Sequence, residues 1–138
     1  MAQYFTRQID KYLAEWKDDR YRKPLLVRGA RQIGKSSAVR NFGKSFKYFV
    51  EINLEREQDL KELFGKNIDV KKICSQLSVL KQTPIVPSET LLFIDEIQES
   101  ERAIASLRYF YEDYPELHVV AAGSLLEFAL RELSSFGV

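Results

Sequence analysis

Eight consecutive residues, Gly29-Ala30-Arg31-Gln32-Ile33-Gly34-Lys35-Ser36, carry the spacing G-x-x-x-x-G-K-S. Glycines at both ends of the spacer let the backbone turn tightly enough for successive N–H groups to face a polyphosphate. A helix starting near Lys35 adds the positive end of its dipole. Lys35 then reaches the β- and γ-phosphates and the Ser36 hydroxyl ligates Mg²⁺, with Ser37 counted in the same binding segment. A second group carries acid: Asp95 and Glu96 close the apolar run Leu91-Leu92-Phe93-Ile94. Successive side chains on a strand point to opposite faces, so the two carboxylates cannot address one ligand atom unless the chain is already turning. The expected division has Asp95 holding the Mg²⁺ water shell and Glu96 polarising an attacking water. Each motif also has a plainer reading, a solvated turn or a strand ending in solvated acids; their occurrence together argues against both.

These groups must be positioned by the elements around them. Leu25-Leu26-Val27 ahead of the glycine segment reads as a strand from Leu25 to Arg28, buried on both faces of a parallel sheet. The helix after the glycine segment runs from about Gly34 to Phe46, with Ala38, Val39, Phe42 and Phe46 inward. Upstream, Ile9, Tyr12, Leu13 and Trp16 share one face of a helix from about Phe5 to Lys17. Trp16 or Tyr12 could stack on a base, but core packing is the expectation. Lys47 to Leu54 alternates and forms a second strand. Glu55 to Phe64 reads as a short helix broken at Gly65. Asp69 caps a helix ending near Leu80 with Ile73, Leu77 and Leu80 inward. A third strand ends at the acidic pair. Ser100 or Glu99 then caps a helix with Ile104, Leu107, Tyr111 and Tyr114 inward. A fourth strand covers Leu117 to Ala122, followed by a helix from Leu125 to Leu133.

Composition limits the alternatives. The 138 residues suffice for one domain with a hydrophobic core, and 21 Lys+Arg against 20 Asp+Glu leave no bulk charge favouring nucleic acid or a membrane surface. A single cysteine, Cys74, cannot form an internal disulfide and reads as a small buried hydrophobe. No apolar leader opens the chain and no run is long enough to span a bilayer, so a reducing cytoplasmic setting is expected. His118, the only histidine, begins the fourth strand, away from the catalytic edge, and reads as structural.

The segments GARQIGKS, LLFIDEIQ and VVAAGSLL together resemble the bacterial and archaeal AAA-type ATPases of the additional-strand P-loop class. Within it they are similar to the family whose ATPase core precedes a carboxyl-terminal domain of unknown function. The resemblance covers almost the whole chain. It implies a three-layer α/β P-loop core with a mostly parallel sheet of strand order 1-4-3-2, the fourth strand inserting between the first and third. It makes Gly29 to Ser36 the Walker A motif and Leu91 to Glu96 the Walker B motif, with Glu96 as the catalytic glutamate. Ser124 takes the position of the γ-phosphate sensor, although it could equally cap the following helix. Arg31 and Gln98 fit residues common in that family. Arg31 reads as a solvent-facing loop residue that could reach an acid or a partner. Gln98 could orient water or bond a backbone group.

The leading expectation is Mg²⁺-dependent ATP hydrolysis coupled to conformational change. A nucleotide-operated switch or scaffold with little turnover is an alternative, and a small-molecule kinase is disfavoured because a kinase gains nothing from a water-activating carboxylate. Partners beyond ATP are an unknown protein or nucleic acid, no membrane, and a homo-oligomer formed through a region beyond this chain. The resembled class has a fifth strand and an arginine finger, so the chain reads as a core truncated at its carboxyl end, with Arg131 the only late arginine. Lys35→Ala is expected to remove ATP binding with the fold intact, since a loop residue contributes nothing to the core.

Overall fold

The computed structural model describes residues 2–28 and 34–123. Elements follow in the order α1 (Ala2–Asp18), β1 (Leu25–Arg28), α2 (Lys35–Gly43), β2 (Tyr48–Asn53), a 3₁₀ segment (Gln58–Phe64), α3 (Val70–Leu80), β3 (Thr90–Asp95), a 3₁₀ turn (Ile97–Glu99), α4 (Glu101–Asp113) and β4 (His118–Gly123). The four strands form one sheet in the order β1-β4-β3-β2, with every neighbouring pair parallel. The expected order is therefore observed. Leu92 of β3 pairs in register with Val50 of β2 and Val119 of β4, which places these positions on one face.

Strand alternation divides the core in two. Val50, Ile52, Leu92, Ile94, Val119 and Ala121 pack against Ile73 and Leu77 of α3 and Ile104, Leu107 and Phe110 of α4. Leu91, Phe93, Val120, Ala122 and Val27 point the other way, against Leu13 and Trp16 of α1 and Val39 and Phe42 of α2. The result is a sheet between two helical layers, the arrangement that buries apolar strands on both faces. β1 is the exception: Leu25 and Leu26 are only half-buried, because β1 stands at the end of the strand order among the described residues.

Capping follows the sequence. The Asp69 carboxylate accepts from the Lys72 backbone N–H at 3.2 Å, and Ser100 Oγ accepts from Ala103 N–H at 3.1 Å, each satisfying a helix-start donor. Arg102 of α4 donates from Nε to the Phe64 carbonyl at 2.9 Å, fastening the end of the first 3₁₀ segment to the α4 layer. That segment is shorter than the helix expected from Glu55, because Asn53 Oδ1 accepts from the N–H groups of Glu55 and Arg56 and holds a turn there instead.

Three inward assignments are corrected. Tyr12 is 57 % exposed and Leu80 58 % exposed. Leu80 is the last residue of α3 and Tyr12 flanks the Leu13/Trp16 stripe. On α4, Phe110 is buried while Tyr111 is partly exposed, under the Lys23 ammonium at 5.4 Å. Both positions satisfy helical spacing, and the ring without a hydroxyl takes the dry side. Ile9 and Tyr114 are half-buried against the two cores. Trp16 is a packing residue, as expected: its ring meets His118 edge-on at 5.4 Å and Nε1 donates to the Lys23 carbonyl at 2.7 Å. Cys74 is buried, and burial pushes its thiol up to about 12.

Candidate functional site

Parallel strands gather their carboxyl ends at one edge, and the chemistry-bearing residues meet there. Gly34 adopts the left-handed backbone, φ 75° and ψ 21°, immediately before α2. A Cβ at Gly34 would meet nothing within 4 Å, so the glycine is required by conformation and not by space. Lys35 opens α2 and is 3 % exposed. This corrects its placement in the loop: the stem is buried, so its removal bears on packing as well. Ser36 follows it, and Ser37 is exposed outside the cleft wall. Positions 29–33, carrying Gly29, Ala30, Arg31, Gln32 and Ile33, lie outside the described residues, as do Ser124, the helix expected over Leu125 to Leu133, and Arg131.

The decisive contact joins the start of α2 to the end of β3. Ser36 Oγ donates to Asp95 Oδ2 at 2.9 Å across 59 residues of sequence. Alternation explains it: Asp95 has the parity of Leu91 and Phe93, hence faces the α2 layer. The other oxygen, Oδ1, accepts from Glu96 N–H at 2.9 Å. Burial is the main influence on the Asp95 carboxyl and raises its pKa. The two hydrogen bonds oppose that rise, while the nearby Glu96 and Glu51 charges add to it.

Continued alternation would send Glu96 to the opposite face. Instead Glu96 takes a left-handed backbone, φ 52° and ψ 47°, so the chain turns at this residue and both acids line one cleft. Such a conformation costs a non-glycine residue on the order of 1 kcal/mol and is held by its surroundings. Gln98, itself buried, donates from Nε2 to Glu96 Oε1 at 2.8 Å. A Cβ at Gly123 would lie 2.9 Å from Gln98 Oε1, so the small residue ending β4 leaves room for this amide.

The cleft has a volume of about 490 Å³ and is lined by Lys35, Ser36, Arg40, Asn53, Glu55, Arg56, Asp95 and Glu96. Sequence reasoning did not single out Arg40, Asn53, Glu55 or Arg56. A helical step of four from Ser36 gives Arg40, and the parallel register opposite Asp95 gives Asn53. His118 lies elsewhere, as expected. Its Nδ1 is 3.2 Å from Arg22 Nη2, which can only donate, so Nε2 carries the proton to the Lys17 carbonyl at 2.9 Å. Burial accordingly lowers the His118 pKa, more than the Lys17 carbonyl raises it.

As a metal corner the site is incomplete on its own. Ser36 Oγ and Asp95 Oδ2 are hard oxygen donors, and among the described residues no group of three or more His, Cys, Asp or Glu could enclose an ion. Few protein oxygens in an open cleft fit Mg²⁺, which takes one or two carboxylates and completes its shell with phosphates and water. By donating its proton to Asp95, Ser36 keeps both Oγ lone pairs as acceptors.

A parallel β1-β4-β3-β2 sheet between helical layers, with a glycine-led helix after β1 and acids ending β3, defines an α/β core of the P-loop nucleoside-triphosphatase type. A family model described as an AAA domain matches residues 21–138, and the chain belongs to that AAA domain family, whose members are nucleotide-binding, ATPase-like proteins. No match to a curated protein was found. Among the described residues no helix is long and apolar enough to cross a membrane.

Proposed function

We propose that this protein binds ATP with Mg²⁺ in the cleft at the carboxyl edge of the sheet and hydrolyses it, using the energy for a conformational change. The observation that carries the reading is the Ser36–Asp95 hydrogen bond, which joins the helix after the glycine segment to the acid at the end of β3. In this reading residues 29–36 would cradle the phosphates as a Walker A motif, with Ser37 beside them, and Lys35 would sit against the β- and γ-phosphates. Ser36 and Asp95 would hold Mg²⁺, which when bound neutralises phosphate charge. Glu96, turned into the cleft and held by Gln98, would accept a proton from the attacking water. Ser124 would sense the γ-phosphate. The additional-strand class, a cytoplasmic setting and assembly with further copies belong to the same proposal.

The test is calorimetry with ATP and Mg²⁺ combined with phosphate release. Glu96→Gln should keep nucleotide binding and lose most hydrolysis, Asp95→Asn should weaken the Mg²⁺ dependence, and Lys35→Ala should lose binding. Because Lys35 is buried, circular dichroism must accompany that variant. A folded Lys35→Ala protein binding ATP like its parent would refute the cradle, and equal loss of binding from both acid variants would refute their separate roles.

A further inference from the structure

One residue of the cleft wall, Arg40, and its partner behind it have no part in that scheme. Arg40 of α2 grips Glu51 of β2 with a paired fork, Nε to Oε1 at 2.9 Å and Nη2 to Oε2 at 2.8 Å. The same Nη2 lies 3.8 Å from Asp95 Oδ2, the oxygen that accepts from Ser36. Register brings this about. Glu51 pairs with Phe93 and Asn53 with Asp95, so Glu51 stands one alternation before Asp95 on the same face, beneath a helix whose Arg40 is one turn beyond Ser36.

A guanidinium remains charged at any working pH, so Arg40 is a standing cation at the corner where a divalent cation would arrive. Its distance from Asp95 is beyond a hydrogen bond yet within ion-pair range. The Asp95 side chain is 4 % exposed and therefore feels a neighbouring charge with little screening, whereas Arg40 at 48 % and Glu51 at 25 % can rearrange. We propose that the Arg40–Glu51 pair sets the divalent-cation affinity of the Ser36–Asp95 corner, Glu51 acting as a positioning residue that holds the Arg40 guanidinium off Asp95. This rests on the reading that Mg²⁺ accompanies the nucleotide at that corner.

The two partners then act with opposite signs. Without Glu51 the fork is released, Nη2 closes on Asp95 and competes with the cation. Without Arg40 the competitor is gone and the Glu51 carboxylate adds its attraction. A salt bridge serving stability alone would move both variants the same way.

The experiment measures the affinity of the 138-residue chain for a non-hydrolysable ATP analogue by calorimetry, with Mg²⁺ and with chelator, and takes the ratio. Partners one shell from a metal typically change its affinity by about 10–100-fold, and partial exposure places these at the low end. Glu51→Gln should lower the ratio by about tenfold and Arg40→Gln should raise it about three- to tenfold. In the double variant the Glu51→Gln loss should largely vanish, because there is no guanidinium left to release. Arg40→Lys keeps the charge without the paired fork and should lower the ratio; it stands in should Glu51→Gln fail to fold by circular dichroism. Shifts in one direction for Glu51→Gln and Arg40→Gln, no shift in either, or an undiminished Glu51→Gln loss in the double variant would overturn the inference. An Asp95→Asn variant with the parent's ratio would instead remove the Mg²⁺ corner itself.

Discussion

Gly123→Ala is a one-methyl test of how Glu96 is held. An added Cβ would stand 2.9 Å from Gln98 Oε1, 3.4 Å from Ile97 Cγ2 and 3.8 Å from the Gln98 backbone nitrogen. Only the first is too close, and it is the far end of a side chain that can swing, so the overpacking cost should sit near the low end of the usual range, about 1 kcal/mol. Swinging Gln98 away also breaks its 2.8 Å bond to the Glu96 carboxylate, and a hydrogen bond to a charged group contributes about 1.5 kcal/mol or more. The sum, about 2–3 kcal/mol, corresponds at this chain length to a fall in Tm of roughly 7–10 °C. If the Glu96 placement counts fully in the transition state, kcat falls about tenfold while ATP affinity is unchanged. Urea unfolding of Gly123→Ala, Gln98→Ala and the double variant isolates the contact. Removing Gln98 first should make the alanine at 123 nearly neutral, giving a coupling of about 2–3 kcal/mol. Additive losses would refute the reasoning, because the methyl would then be acting on something other than Gln98.

Three further outcomes are expected. His118 is the only histidine and its folded pKa lies below the ordinary value of 6.5. Below about pH 6.5 the unfolded chain therefore takes up a proton that the native state refuses, and stability falls with pH until the folded pKa is reached. Urea midpoints from pH 8 to 5 should show that fall, at most about 1.4 kcal/mol per pH unit, and His118→Gln should flatten it; an unchanged slope would disprove the assignment. Gly43→Ala gains under about 1 kcal/mol of helix propensity but drives a methyl into the Phe49 ring, 2.8 Å from Cε1. It should lose about 1–3 kcal/mol in chemical denaturation and be rescued by Phe49→Leu. Cys74, buried with its thiol pushed up to about 12, should react with iodoacetamide at pH 8 only as fast as the protein opens, so its rate should rise with urea in step with unfolding.

What the sequence determined by itself was local or periodic. Runs such as Leu91 to Ile94 are apolar because they are buried on both faces, and Asp69 and Ser100 mark helix starts because short polar side chains satisfy orphan N–H groups. Gly34-Lys35-Ser36 closes a spacing that encodes a backbone shape, and the left-handed Gly34 ahead of α2 is the part of that shape observed. The strand order came with the family resemblance, since apolar strands do not by themselves name their neighbours. Tertiary structure decided everything that depends on which of two eligible positions turns inward, and on which distant residues meet. Tyr111 and Phe110 satisfy the same period, and only the packed layer chose between them. The left-handed turn at Glu96 reverses what strand alternation dictates, and it is sustained by contacts among residues 95 to 98 and the space beside Gly123. Arg40, Glu51 and Asp95 lie on three separate elements, so their convergence exists only once β2 and β3 pair in register and α2 lies across them. Spacing along a chain can specify a local shape, but long-range distances between side chains are set by the packing that closes the sheet between its helices.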